Sequence, residues 1–270
     1  LLILCQYFYP EYVSSATLPT QMAEDLVEKG MRVDVMCGWP YEYNNEKYIE
    51  KNEIYKGISI QRLKYSKFDN KSKLGRIFNF FSLFIRFIFK MPKMLKYDHI
   101  LVYSNPPILP LIPDILYRVF KKDYSFVAYD IAPDNALKTG ATKPGSLIDK
   151  LMKYINKHVY SNAKNVIVLG TEMKNYILQN EISDNPGNIH VIPNWYVESE
   201  DDIVHNTEFQ KLRKQYDKIL LYSGNMGQLQ DMDTISNFLK LNKVNDKTLT
   251  ILCGHGKKYA EVKQFIESND

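Results

Sequence analysis

Short, nearly unbroken apolar runs, each followed by a turn and a helix-spaced segment, most constrain what this chain can become. Residues 1–5, 33–37, 100–103, 125–129, 166–169, 219–223 and 249–253 are such runs. Strands buried on both faces read this way, and they belong to parallel sheets. Residues 58–65 instead alternate through Ile58, Ile60 and Leu63, and residues 190–192 add another short strand. Between the strands lie helical segments. Leu18, Met22 and Leu26 share one face with Ala23 and Val27; Pro19 is expected in the first turn and Gly30 past the end. Residues 71–96 form a basic, Phe-rich helical region, and an apolar helix ends near Phe120. Ser146 caps a helix over 146–160, whose ridge is Leu147, Leu151, Ile155 and Val159, and Thr171 is expected to cap another. Strand and helix alternating in this way predict an α/β fold with doubly wound parallel sheets.

The 270 residues suggest two domains. Residues 1–196 make one βα series. Residues 197–208 are acidic and patternless, so 197–216 reads as a linker. A fresh series begins at 217 and runs to 270. Its two strands and two helices are too few to close a core, so the second domain is expected to be incomplete. The chain also begins inside a strand-like run at Leu1, as if trimmed. A net charge of +4, from 35 basic and 31 acidic residues, gives no reason to expect a nucleic-acid partner. Cys5, Cys37 and Cys253 are odd in number and widely spaced, which fits free thiols in a reducing compartment. No apolar run approaches the ~20 residues of a spanning helix, and no leader is visible, so a cytoplasmic location is expected. The five histidines show no i,i+4 pair, and no metal site is expected.

Ligands of doubly wound sheets bind beyond the carboxyl ends of the strands. Two loops there carry glycines. Tyr222-Ser223-Gly224-Asn225-Met226-Gly227 leaves one strand, and Cys253-Gly254-His255-Gly256 leaves the next. Glycines in such loops either let the backbone approach a diphosphate at a helix start or satisfy the turn alone. Asp231-Met232-Asp233 precedes a helix and reads as a cap rather than a metal motif. Asp130-Ile131-Ala132-Pro133-Asp134 places two acids after a strand, suited either to holding a hydroxyl and moving a proton or to capping. From Lys64 to Lys96 the cations far outnumber the single acid Asp69. Asn79, Ser82, Arg86, Lys90 and Lys93 form a narrow polar stripe, and the rest of that helix is apolar. Such a helix either lies in a protein core with its stripe in solvent or dips into a membrane interface.

These pieces, in order, resemble the retaining glycosyltransferases of family 4 that build O-antigen, capsule and colanic-acid units. Leu4-Cys5-Gln6-Tyr7-Phe8-Tyr9-Pro10-Glu11 is similar to the family's first βα loop. Cys37-Gly38-Trp39-Pro40, the Asp130 segment, Val191-Ile192-Pro193-Asn194-Trp195 and the Tyr222–Gly227 turn resemble later family stretches. The resemblance implies a GT-B fold, in which two Rossmann-like domains hold the active site between them. The acceptor-binding domain comes first, at the membrane face, and the nucleotide-sugar domain second. No cofactor or metal is implied. The substrate would be a nucleotide-diphosphate sugar, here a UDP-sugar, and backbone amides and basic groups would stabilise the leaving diphosphate. The first loop departs from the family pattern, with Val13-Ser14-Ser15-Ala16 where glycines are usual. The family's paired glutamates would fall beyond Asp270.

Carried over residue by residue, the resemblance implies catalytic roles for Asp130 and Asp134. It implies diphosphate-side roles for Ser14, Ser15, Gly224, Asn225, Gly227, Gly254 and His255. Together with the basic helix it implies a membrane-facing set of Arg76, Phe80, Phe81, Phe84, Arg86, Lys90 and Lys93. The expected activity is transfer of a sugar to a lipid-linked saccharide in cell-surface polysaccharide assembly, by a peripheral protein on the inner face of the cell membrane. The alternative is a non-catalytic acceptor-side or membrane-anchoring subunit that needs a partner chain.

Overall fold

β1 (Leu2–Leu4) lies at the centre of the first sheet, with all three residues buried. Its side chains alternate, as strand geometry requires. Leu2 and Leu4 join one hydrophobic cluster, and Ile3 joins another on the opposite face, as does the following Cys5. The computed structural model describes residues 1–41, 48–69, 72–131, 142–195, 207–227 and 230–269. Its contacts divide the chain into two compact units, Leu1–Val197 and Glu198–Asp270.

In the first unit the described residues form an eight-stranded sheet. β2 (Asp34–Gly38), β3 (Asn52–Tyr55), β4 (Ile58–Leu63), β5 (Ile100–Tyr103), β6 (Tyr124–Ala128), β7 (Asn165–Val168) and β8 (Ile189–Val191) take the order β3-β4-β2-β1-β5-β6-β7-β8. All neighbouring pairs are parallel except β3–β4. β3 is an edge strand that the sequence pattern did not announce. Its Ile54 points to solvent, and its side chains do not repeat an apolar face.

α1 (Ser14–Glu28) covers one face of the sheet through Ala23, Met22 and Leu26. It starts earlier than expected. The Val13 carbonyl accepts from both Ala16 and Thr17, so Pro19 falls inside the helix rather than in its first turn. Gly30 does close it, at φ +85°. The other face is covered by α2 (Lys73–Ile88), α4 (Leu111–Phe120), α5 (Leu147–Asn162) and α6 (Thr171–Gln179), with the short α3 (Met91–Met94) between α2 and β5. Ser146 caps α5 as expected, its hydroxyl accepting from Asp149 N at 3.2 Å. Only Ile155 and Val159 of the expected α5 ridge are buried; Leu147 and Leu151 face out. Thr171 is the first residue of α6 rather than its cap; Gly170 holds the cap position without a side-chain bond.

α2 does not keep its whole polar stripe in solvent: Asn79 is 3% exposed and faces inward, while Arg86 stays exposed. Asn79 Nδ2 donates to the Phe68 carbonyl at 2.9 Å, and its Oδ1 accepts from Phe68 N at 2.9 Å. The Ser66 hydroxyl reaches both Asn79 Oδ1 and Ser82 Oγ. The loop after β4 carries backbone groups that need partners, and Asn79 and Ser82 supply them. Leu83, Phe84 and Phe87 fill the core beside them. Phe84, expected at the membrane face, is therefore buried at 8% exposure, and Phe80 is half-buried.

The second unit pairs β9 (Lys218–Ser223) with β10 (Thr248–Cys253) in parallel. α8 (Met232–Asn242) and α9 (Tyr259–Asn269) contribute to a small core of Met226, Met232 and Val262. Before β9 stands α7 (Thr207–Gln215), inside the stretch that read as linker. None of its residues is buried, and its apolar positions, Phe209 and Leu212, are few. Its acid in the first turn and bases in the last suit the helix dipole instead.

Candidate functional site

In the first sheet β1 lies between β2 and β5, the point at which the winding reverses and a crevice opens at the strand ends. Gln6 ties these ends together. Its amide donates to the Asn105 carbonyl at 3.1 Å, and its carbonyl accepts from Gly38 N at 2.9 Å. A Cβ on Gly38 would stand 2.8 Å from that carbonyl, so glycine is required there by close approach. The Gln6 side chain is buried, and its Oε1 has no hydrogen-bond partner among the described residues. A buried acceptor without a partner is costly in a finished core and natural where a ligand donates. Gln6 was not singled out as a site residue, because its signal is an unmet hydrogen bond rather than a spacing.

Around this point two thiols and two phenols are held neutral. Burial raises the Cys5 thiol well above its ordinary value. Burial pushes Cys37 up to about 12, against the opposing pull of the Arg62 charge. Neither thiol is a nucleophile near neutral pH. Tyr103 and Tyr129 pack with ring centroids 5.3 Å apart, and burial raises both phenols. Tyr9 stacks on Tyr55 at 3.7 Å, and its carbonyl accepts from Arg62.

Asp130 lies two residues past the end of β6 and is exposed; Asp134 lies outside the described residues. Ser14 and Ser15 are the first two residues of α1, beyond the carboxyl end of β1. The first amides of a helix have no intrahelical acceptor, so this start offers donors and a partial positive charge to an anion.

In the second unit the two glycine loops brace each other. Gly224 N donates to the Cys253 carbonyl at 3.0 Å, Met226 N to the His255 carbonyl at 2.7 Å, and Lys258 N to the Met226 carbonyl at 2.8 Å. A Cβ on Gly254 would stand 1.9 Å from the Gly224 carbonyl, and one on Gly256, at φ +148°, 2.4 Å from the Met226 carbonyl. Gly227 is crowded by Asn225 Nδ2 and Gln230 Oε1. Gly224 has only ordinary contact, with its own neighbour Tyr222. Gly254 and Gly256 are thus needed for packing between the loops, whereas a Cβ on Gly227 would meet only the ends of two flexible side chains; Gly224, Asn225 and the His255 side chain stand exposed at the strand ends. Asp231 acts as the expected cap. Its two oxygens accept from Thr234 N at 3.1 Å and Thr234 Oγ1 at 2.7 Å, and these bonds hold its carboxyl below the usual range.

The outward side of α2 is apolar. Leu74 (67% exposed), Ile77, Phe78 (57%), Phe81 (55%) and Ile88 lie on it, and Phe89 follows. Arg76 and Arg86 are exposed on the same helix, Lys93 is exposed beyond it, and Lys90 is half-buried. Of the expected membrane-facing set, Arg76, Phe81, Arg86 and Lys93 point outward. Ile77, Phe78, Ile88 and Phe89 join them. Among the described residues no helix is long and apolar enough to cross a membrane, and no group of three or more His, Cys, Asp or Glu could hold a metal ion.

No family model matches this chain. WbjE of Pseudomonas aeruginosa, described as a probable glycosyltransferase, is 26% identical over 170 residues, which span 62% of this chain and 42% of WbjE. Anabaena HepE, solved with UDP and glucose, superposes with a TM-score of 0.56 at 14% identity, over 99% of this chain and 65% of HepE. WaaG, a glycosyltransferase involved in lipopolysaccharide biosynthesis, gives 0.59 at 11% identity, over 100% of this chain and 68% of WaaG. The chain therefore spans less than half of WbjE and just under two thirds of HepE. Its fold is the mostly parallel α/β architecture of the GT-B glycosyltransferases.

Proposed function

We propose that this protein is a glycosyltransferase that moves a sugar from a nucleotide-diphosphate sugar to a lipid-linked saccharide acceptor, with retention at the anomeric carbon, in cell-surface polysaccharide assembly. The likeness to WbjE over 170 residues carries the reading. The UDP bound to HepE favours a UDP-sugar as donor, and the role printed for WaaG favours a surface-polysaccharide product. The protein would work as a peripheral enzyme at the inner face of the cytoplasmic membrane, with the apolar side of α2 at the lipid boundary.

The chemistry asks for charge stabilisation on a departing diphosphate and for an oriented acceptor hydroxyl. Exposed backbone at Asn225, the His255 side chain, and the start of α1 at Ser14 and Ser15 are suited to the first task, whereas the Gly224 amide is already given to the Cys253 carbonyl. Asp130 and Asp134 are assigned to the second, accepting a hydrogen bond from the hydroxyl that attacks. The test is calorimetry of the full-length protein against UDP- and GDP-sugars, followed by NMR of the product. Binding of a UDP-sugar and a product of unchanged anomeric configuration are expected. Silence across the whole donor set would overturn the reading.

A further inference from the structure

A cleft of about 880 Å³ opens at the carboxyl ends of β2 and β4, beside the last turn of α2. Its lining joins four strongly basic side chains, Lys51, Lys64, Arg86 and Lys90, to the rings of Trp39 and Phe89. Among the lining residues Glu50 is the one acid. Among the described residues no carboxylate pairs with any of those four cations. The Lys64 ammonium instead lies over the Trp39 ring, 4.4 Å from its centroid.

The cleft is also built from within. Arg62 lines it with a side chain that is fully buried. Its guanidinium pairs with Glu53, and donates to the Glu50 carbonyl at 2.8 Å and the Tyr9 carbonyl at 2.9 Å. Its Nε is buried and has no partner among the described residues. Four unpaired cations around one concavity repel each other, and a buried N–H goes unmet beside them. An anion with several acceptor oxygens relieves that repulsion, and Lys and Arg suit phosphate oxygens best.

Phe89 belongs both to the cleft and to the exposed apolar run of α2. An amphipathic helix lying in the interface sinks its apolar side to the boundary between headgroups and acyl chains. A basic cleft at the end of that helix then stands at headgroup level, where lipid-borne phosphates are. We propose that the cleft binds the diphosphate of a polyprenyl-linked acceptor, drawn from the bilayer beside α2. This inference rests on the lipid-linked acceptor of the function proposed above and names the residues that grip its anionic group.

The test uses the full-length protein and flotation with three probes. These are neutral vesicles carrying a polyprenyl diphosphate, vesicles of matched charge carrying phosphatidylglycerol, and soluble inorganic pyrophosphate as a competitor. Polyprenyl-diphosphate vesicles are expected to bind about tenfold or more tightly than the charge-matched ones, since directed charge-assisted bonds exceed diffuse attraction. Lys51→Gln with Lys64→Gln is expected to erase that margin, and Lys51→Arg with Lys64→Arg to keep it. Both lysines are exposed, so circular dichroism should be unchanged. Equal binding at equal charge, or a double glutamine variant that retains the preference, would overturn the proposal. So would pyrophosphate binding without any vesicle preference, which would assign the cleft to a free phosphate. Donor-sugar calorimetry on the same variants separates the two ideas. Unchanged donor binding alongside a lost or absent lipid preference leaves the glycosyltransferase reading standing, and lipid preference without donor binding leaves only the cleft.

Discussion

The strand ends of the first unit are held by side chains as well as by backbone, and those of the second mainly by backbone. In the first, buried Arg62 reaches Glu53, the Glu50 carbonyl and the Tyr9 carbonyl, while Gln6 carries a buried acceptor with no partner. In the second, the peptide groups of Gly224, Met226, Cys253 and His255 bond one another directly, because Gly254 and Gly256 have no Cβ to hold them apart. The difference teaches which chemistry each region can offer. Side chains give charge and shape that change with substitution. Backbone gives a fixed geometry, and here the Gly224 and Met226 amides are spent on the facing loop.

The comparison breaks most visibly at Arg62. Arg62→Met leaves Glu53 and two carbonyls without their donor and should destabilise the protein by about 3 kcal/mol, a figure at the low end because Glu53 is partly exposed. Urea unfolding followed by circular dichroism measures it. Gly254→Ala comes next, since a Cβ 1.9 Å from the Gly224 carbonyl must push one loop off the other. About 2 kcal/mol is expected, with weaker nucleotide-sugar binding by calorimetry. The thiols give a smaller, pH-dependent contrast. Cys37 stays protonated in the folded state up to about 12, from an ordinary value of 9.0. Its contribution to stability is full below pH 9.0 and declines as pH rises toward about 12, because the unfolded chain gives up that proton first. Denaturation midpoints across that range should fall less steeply in Cys37→Ala. At neutral pH iodoacetamide should label exposed Cys253 and leave Cys5 and Cys37 untouched, as mass spectrometry of the folded protein would report. The smallest effect is Gly224→Ala, which meets nothing nearer than 3.6 Å and should shift stability by no more than about 0.5 kcal/mol.

Much of the fold was legible because parallel strands announce themselves. The runs at β1, β2, β5 and β6 are apolar on both faces since helices or neighbouring segments cover both. The caps at Ser146 and Asp231 were legible because a hydroxyl or carboxylate reaching an amide three residues on is a local event. Non-local facts were not. β3 is defined by its partner β4 rather than by its own pattern, and α7 has no buried side. The orientation of α2 turned on where the backbone of Phe68 would find its partners, which no periodicity of α2 encodes. The glycine loops were visible as a spacing, but the work of Gly254 was not, since Gly224, thirty residues away, decides it. Gln6 and Arg62 escaped for the same reason. Their roles come from what surrounds them.

The outward side of α2 has a consequence for the purified protein. Phe78, Phe81 and Phe89 together form an adhesive strip on an otherwise charged molecule. In plain buffer the most available cover for such a strip is the same strip on another molecule. The particle measured by light scattering should therefore grow with concentration, and a mild detergent should return it to a single chain.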